Sequence, residues 1–273
     1  GGGKQAIQGV LTTVSRELTQ LKKKQQKHAL ARKERRRQRV RGGARTVGLA
    51  GYTNAGKSSL FHALSGKKVL VEDKLFSTLE TTVGRMEMSP RILLADTIGF
   101  IDELPSDLLD AFHATLDESL RCDLLLLLAD SSDETSELKR KLSTSRREVL
   151  DRNTGETLHM KVVLTKSDKG GDIEEAQEVV RTMGLPDALV VSSHIGQGLE
   201  QLRESIMYSL YGPKTTLIVS QGPPGSRSPE AYVSQIYDLG IVTEKIEFEL
   251  TLWCGQAELQ RLIANSEGRV SIK

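Results

Sequence analysis

The period of the apolar positions changes along the chain, and each change marks an element. From Ile7 they fall at Leu11, Val14, Leu18 and Leu21, in steps of 4, 3, 4 and 3. That is one stripe of a helix packed against another helix. The stripe fades after Leu21, but neither Pro nor Gly interrupts the chain before Gly42-Gly43. One long helix is expected there, with the glycine pair as a hinge. Residues 46–52 are short, β-branched and apolar, a strand, and 58–64 form the helix behind it. Two strands follow at 83–88 and 91–97 around a Ser89-Pro90 turn. Residues 106–121 put Leu108, Leu109, Phe112, Leu116 and Leu120 on one helical face. The longest apolar run, 124–129, sits in a strand over 123–130 that reads as buried on both faces.

Helices at 136–152, 172–183 and 198–211 then alternate with strands at 159–168 and 188–194. Alternation of this kind predicts a doubly wound α/β domain. Beyond Gly212-Pro213 the pattern becomes strand 215–220, helix 230–239, strand 244–254 and helix 256–264, with Trp253 as a core aromatic. That order predicts a small α+β domain of the ferredoxin-like kind. The expected organisation is a basic helical arm over 1–43, the α/β domain over 44–212 and the α+β domain over 213–273.

Composition sharpens this picture in two places. At 273 residues, 38% hydrophobic and 27% charged, the chain suits a soluble globular protein, and it has no apolar run long enough for a membrane span. Cys122 and Cys254 read as reduced thiols of an intracellular protein. The chain opens on Gly1-Gly2-Gly3 without Met or a signal peptide, so a fragment or processed product is expected. The net charge of +2 conceals an asymmetry. Residues 22–45 hold twelve Lys and Arg against Glu34 alone, a balance of 12 − 1 = +11, which leaves 2 − 11 = −9 for the remainder. A polyanionic partner is implied. Lys22, Lys23, Lys24, Lys27, Arg32, Lys33, Arg35, Arg36, Arg37, Arg39 and Arg41 are the candidate RNA-backbone contacts. No aromatics are interleaved among them, so grip on phosphate and duplex shape is expected rather than base stacking. The plain alternative is a solvated charged helix.

The chemistry concentrates at strand ends. Gly51-Tyr52-Thr53-Asn54-Ala55-Gly56-Lys57-Ser58 fits G-x-x-x-x-G-K-[ST] between a strand and a helix. Its two glycines allow successive N–H groups to face phosphates, Lys57 reaches the outer phosphates, and the Ser58 hydroxyl is a Mg²⁺ ligand. Asn54, Ala55 and Ser59 complete the nucleotide-binding set. Asp96-Thr97-Ile98-Gly99 matches D-x-x-G, with Asp96 beside Mg²⁺ and the Gly99 N–H able to sense a γ-phosphate. Thr165-Lys166-Ser167-Asp168 matches T-K-x-D, a variant of the guanine-reading N-K-x-D. Asp168 accepts two hydrogen bonds from guanine, the Lys166 stem covers the base, and Thr165 stands where Asn ties this strand to the phosphate loop. Ser192-Ser193-His194 occupies the place of the S-A-x backbone reader of guanine O6. The nucleotide is therefore GTP or GDP, and Phe100 after D-x-x-G cannot orient water, which predicts slow hydrolysis by the isolated chain.

Together with residues 51–61, Leu75-Phe76-Ser77-Thr78-Leu79, Asp96-Thr97-Ile98-Gly99-Phe100-Ile101, Leu104-Pro105 and Ala111-Phe112-His113-Ala114-Thr115-Leu116-Asp117-Glu118, the chain resembles HflX-type GTPases of the Obg–HflX superfamily. Gly1–3 and Lys4-Gln5-Ala6-Ile7-Gln8 are similar to that family's G-P-G-E-T-Q-L-E, with Lys4 and Gln8 replacing acids. The resemblance implies a P-loop GTPase that binds the large ribosomal subunit and its rRNA through the helical arm, near ribosomal proteins or assembly factors. It implies a role in assembly, recycling or rescue. A GTP-bound scaffold without hydrolysis and a GTPase switch for a protein partner are the alternatives. It assigns Thr78 to Mg²⁺ and γ-phosphate, with Thr82 as the alternative, and makes Asn54 a potassium ligand. The family's D-P-T-T-R reads Glu80-Thr81-Thr82-Val83-Gly84 here, without the Pro and the Arg. Drift from the bacterial pattern leads us to expect the mitochondrial matrix, with bacterial cytoplasm as the alternative.

Overall fold

The computed structural model describes residues 44–65, 82–86, 89–96, 99–100, 122–152, 159–223 and 225–273. The expectations for the arm with its eleven candidate RNA contacts, for Thr78 and the rest of 66–81, and for a helix at 106–121 lie outside the described residues.

The first seven described elements begin one sheet and its helices. They are β1 (Arg45–Gly51), α1 (Lys57–Ser65), β2 (Thr82–Met86), β3 (Ser89–Asp96), β4 (Leu124–Asp130), α2 (Thr135–Arg152) and β5 (Met160–Thr165). A 3₁₀ turn at Ser167–Lys169 leads to α3 (Ile173–Thr182), β6 (Ala188–Val190) and α4 (Leu199–Tyr211). The sheet order is β2-β3-β1-β4-β5-β6, parallel except for β2, which runs antiparallel to β3. This is a doubly wound sheet, and its strands end together at one edge: Leu49 pairs with Asp96, Gly51 with Leu128 and Asp130 with Thr165.

All seven residues of β4 are buried. Successive side chains point to opposite faces. Leu124, Leu126 and Leu128 join Leu60, Phe61 and Ile206 from α1 and α4. Leu125, Leu127 and Ala129 join Leu138, Leu142 and Val180 from α2 and α3. A strand covered by helices on both sides has no polar face to show, hence the unbroken leucine run.

Some boundaries differ from the sequence pattern. Ser89-Pro90 opens β3 instead of forming the turn; proline fits a strand's start, where a ladder hydrogen bond is dispensable. The strand read over 159–168 ends at Thr165, because Lys166 takes a left-handed conformation, φ 59 and ψ 33. The strand read over 188–194 stops at Val190, and Ser192, Ser193 and His194 lie in the following turn.

The C-terminal stretch is β7 (Thr215–Val219), α5 (Pro229–Leu239), β8 (Ile241–Ile246), β9 (Glu249–Trp253), α6 (Gln256–Asn265) and β10 (Val270–Ile272). Its antiparallel sheet has the order β10-β7-β9-β8. The single strand read over 244–254 is a hairpin, turning at Glu247-Phe248 with Glu247 left-handed at φ 51. No glycine announces that turn, and for this reason the pattern conceals it. Leu217, Leu250, Leu252, Ile236 and Leu259 make a separate small core.

Trp253 faces the other way. It is 7% exposed and belongs to the core of the α/β domain with Val47 and Tyr211. The Lys214 ammonium lies 5.2 Å over its ring. Truncating a large buried aromatic costs about 3–5 kcal/mol. Trp253→Ala is therefore expected to lower the unfolding free energy by that order, as read by urea denaturation followed by far-UV circular dichroism.

Candidate guanine-nucleotide site

The phosphate loop is built by close approach. Gly51 has φ +154, and a Cβ there would sit 2.4 Å from the Leu128 carbonyl oxygen. No side chain fits between β1 and β4 at that point. Gly56 is also left-handed, at φ +82. Between them Asn54 takes φ 63 and is exposed, as is Ser59, whereas Ala55 is buried. The N–H groups of the first turn of α1 have no intrahelical acceptors and bring the positive end of the helix dipole to the loop.

Lys57 opens α1 and is 8% exposed. Its Nζ donates to the carbonyls of Tyr52 at 3.0 Å and Gly51 at 3.3 Å. Burial pushes its pKa down to about 8, against the pull of the Asp96 charge. A buried cation held by two neutral carbonyls is electrostatically underpaid, which suits a site awaiting an anion.

Asp96 ends β3, buried, and its Oδ2 accepts the Ser58 hydroxyl at 2.9 Å. Two of the three residues assigned to Mg²⁺ by sequence, Ser58 and Asp96, are thus adjacent. Gly99 lies against the loop; a Cβ there would meet Lys57 Nζ at 2.7 Å and Thr53 Cα at 2.9 Å. The next residue zips to the loop backbone. The Phe100 N–H donates to the Gly51 carbonyl at 2.9 Å, and its carbonyl accepts the Thr53 N–H at 2.8 Å. The Phe100 side chain is wholly buried in the core beneath β4 and β5. Gly84, where the family pattern has Arg, has its own reason: a Cβ would come within 2.6 Å of the Phe61 ring.

The base-reading end is tied to the loop by Thr165. Its hydroxyl lies 2.8 Å from the Ala55 carbonyl and 3.1 Å from that of Ala129. The Thr hydroxyl therefore spans to the loop without the longer Asn. Asp168 is held by the Ser192 hydroxyl, which donates to its Oδ1 at 2.5 Å. Ser192 in turn accepts the N–H groups of His194 and Ile195. The Ser192 bond, with His194 and Lys169 nearby, holds the Asp168 carboxyl below its ordinary pKa despite some desolvation. The exposed His194 imidazole stands 3.7 Å from Asp168 Oδ2.

Two residues escaped the sequence reading. Asp130 ends β4 and accepts the Lys166 ammonium at 2.6 Å. Tyr52 lies under the Arg140 guanidinium, 5.1 Å from the ring centre, and the Lys141 ammonium, at 5.6 Å. Asp130 had a signal, since it closes an apolar strand as Asp96 does; Tyr52 had none.

A phosphate loop, an acidic D-x-x-G strand end and a guanine-reading turn on one sheet edge define a P-loop GTP-binding domain. Residues 46–166 match a family model described as 50S ribosome-binding GTPase. "GTPase HflX" of Gluconacetobacter diazotrophicus is 41% identical over 186 residues, covering 67% of this chain and 40% of that protein. The protein of the same description from Thermofilum pendens is 35% identical, covering 77% of this chain and 50% of that one. The matched stretch belongs to the HflX-type GTPases, and the chain spans about half the length of these relatives or less. A GTP-binding protein of Sulfolobus solfataricus, solved in complex with GDP, shares the fold with a TM-score of 0.50 and 31% identity, over 61% of this chain and 52% of that one.

Proposed function

We propose that the chain hydrolyses GTP and binds the large ribosomal subunit, through the basic stretch 22–41, in ribosome assembly or recycling. The observation that carries the nucleotide reading is the Thr165 bond to Ala55, which joins the base-reading turn to a phosphate loop with a buried Lys57. The ribosomal part rests on the family model's description and on the +11 balance of residues 22–45.

In this reading Lys57 and the N–H groups of the loop hold the outer phosphates, and the Gly99 N–H meets the γ-phosphate. Ser58 and Asp96 would hold Mg²⁺. Phosphate oxygens, and Thr78 as the family resemblance implies, would complete that shell. Bound Mg²⁺ would neutralise charge on the phosphates. Asn54, exposed on the loop, would offer its amide oxygen to a potassium ion, as the family resemblance implies. Asp168 reads the guanine edge and the Lys166 stem covers the base.

Phe100 brings no hydrogen-bonding group to attacking water, so hydrolysis by the chain alone is expected to be slow. Single-turnover GTP hydrolysis, with and without purified large subunits, tests the proposal. The expected result is a large acceleration by the subunits, with subunit binding falling on the order of a thousandfold between 50 and 200 mM salt. Tight binding without acceleration would favour the scaffold reading, to which the buried Phe100 also lends support. Binding that ignores both salt and deletion of 22–41 would end the role of the basic stretch.

A further inference from the structure

We infer that Asp130 is a positioning residue of the guanine site, holding the Lys166 stem across the base by anchoring its ammonium; this rests on the guanine reading proposed above.

Two consecutive residues at the end of β4, Asp130 and Ser131, grip the end of β5, and Ser132 braces Asp130. Asp130 Oδ2 accepts Lys166 Nζ at 2.6 Å. Ser131 donates to the Thr165 carbonyl from its N–H at 3.0 Å and its hydroxyl at 2.8 Å. Ser132 donates to Asp130 Oδ1 from its N–H at 3.0 Å and its hydroxyl at 2.6 Å. Asp130 is therefore fixed before it meets Lys166. Burial alone would raise its pKa, but the bonds from Lys166 and Ser132 outweigh this and the carboxyl is lowered. A pair this well buried, 9% and 18% exposed at the side chains, is screened little by solvent.

Lys166 needs such a hold. Its backbone is left-handed, a region that side-chain-bearing residues enter at a cost. A lysine stem has many rotamers, and one that covers a base must be stripped of most of them before the base arrives. A short, buried ion pair at the far end of the stem does this. The other charged groups of the site are engaged elsewhere: Lys57 donates to Gly51 and Tyr52, and Asp168 accepts from Ser192.

Asp130→Asn tests it. The amide oxygen keeps both Ser132 bonds, while the NH₂ group faces the ammonium, so the change is confined to Lys166. GDP affinity of the full chain is expected to fall about tenfold. The loss should be equal for IDP, which lacks the 2-amino group, because the stem covers the ring face and does not read the edge. Lys166→Met, which keeps a stem without the charge, should show the same loss. Adding Asp130→Asn to it should cost nothing more, and this arm serves even if Asp130→Asn alone folds poorly. Wild-type GDP affinity in Lys166→Met, or additive losses in the double variant, would overturn the inference. If Asp168→Asn in the same assay also kept GDP over IDP, the guanine reading itself would have failed; if only Asp168→Asn lost GDP, the reading stands and the role of Asp130 falls.

Discussion

Lys57→Ala is expected to weaken GDP and GTP binding by at least about a hundredfold, which isothermal calorimetry on the full chain will show. The side chain is buried at the start of α1 and bonded to two loop carbonyls, so it is already oriented toward the outer phosphates. A buried charge that loses its partner costs several kcal/mol, and here the phosphate would be the partner lost. The lowered pKa adds a signature that a structural role would not produce. Below about pH 8 the free protein holds a charged Lys57, and between about 8 and its ordinary 10.5 it holds a neutral one. In that window binding must take up a proton, so affinity should drop by up to about tenfold per pH unit above 8. The effect on the free protein has the opposite sense. The unfolded chain binds more protons in the same window, so this residue's contribution to stability rises with pH there. Retained tight binding in Lys57→Ala, or affinity flat from pH 7 to 9.5, would contradict the assignment.

Asp168→Asn is expected to abolish the preference for guanine and to create one for xanthine, a combined change on the order of a thousandfold. Asp168 offers two acceptor oxygens, which match the two donors of guanine. Asparagine offers one acceptor and one donor, which match the N1–H and the C2 carbonyl of xanthine. Ser192 can still donate to the amide oxygen, so the turn has no reason to collapse. Competition of GDP and XDP against a fluorescent nucleotide reads the switch. The lowered pKa of Asp168 carries a sign as well: the carboxylate stays charged to below the ordinary carboxylate range, so guanine binding should persist through mildly acidic pH. Loss of selectivity already at pH 5 would argue against Asp168 as the reader.

These residues were legible because each motif couples a side chain to a local element. The glycines and lysine of 51–58 must follow a strand and open a helix, and they do. Asp96 was found from the apolar residues before it. The seven buried positions of β4 were visible as a leucine run, since a two-sided environment leaves no period to misread. Where the pattern failed, the deciding force was not local. The Glu247-Phe248 turn is set by pairing of β8 with β9. Lys166 leaves the strand in a left-handed conformation, and its ammonium meets Asp130, thirty-six residues earlier.

The sequence alone determined the kind of nucleotide site, its class of fold and the charge asymmetry between residues 22–45 and the remainder, because these depend on residue type at fixed spacing. Tertiary structure alone decided that Thr165 reaches Ala55, that Phe100 is buried against the core, that Gly84 yields space to Phe61, and that Trp253 of β9 joins the core around β1 and α4. Each of these is a contact between residues distant in the chain, and only the packing of the sheet and its helices sets which distant residues meet.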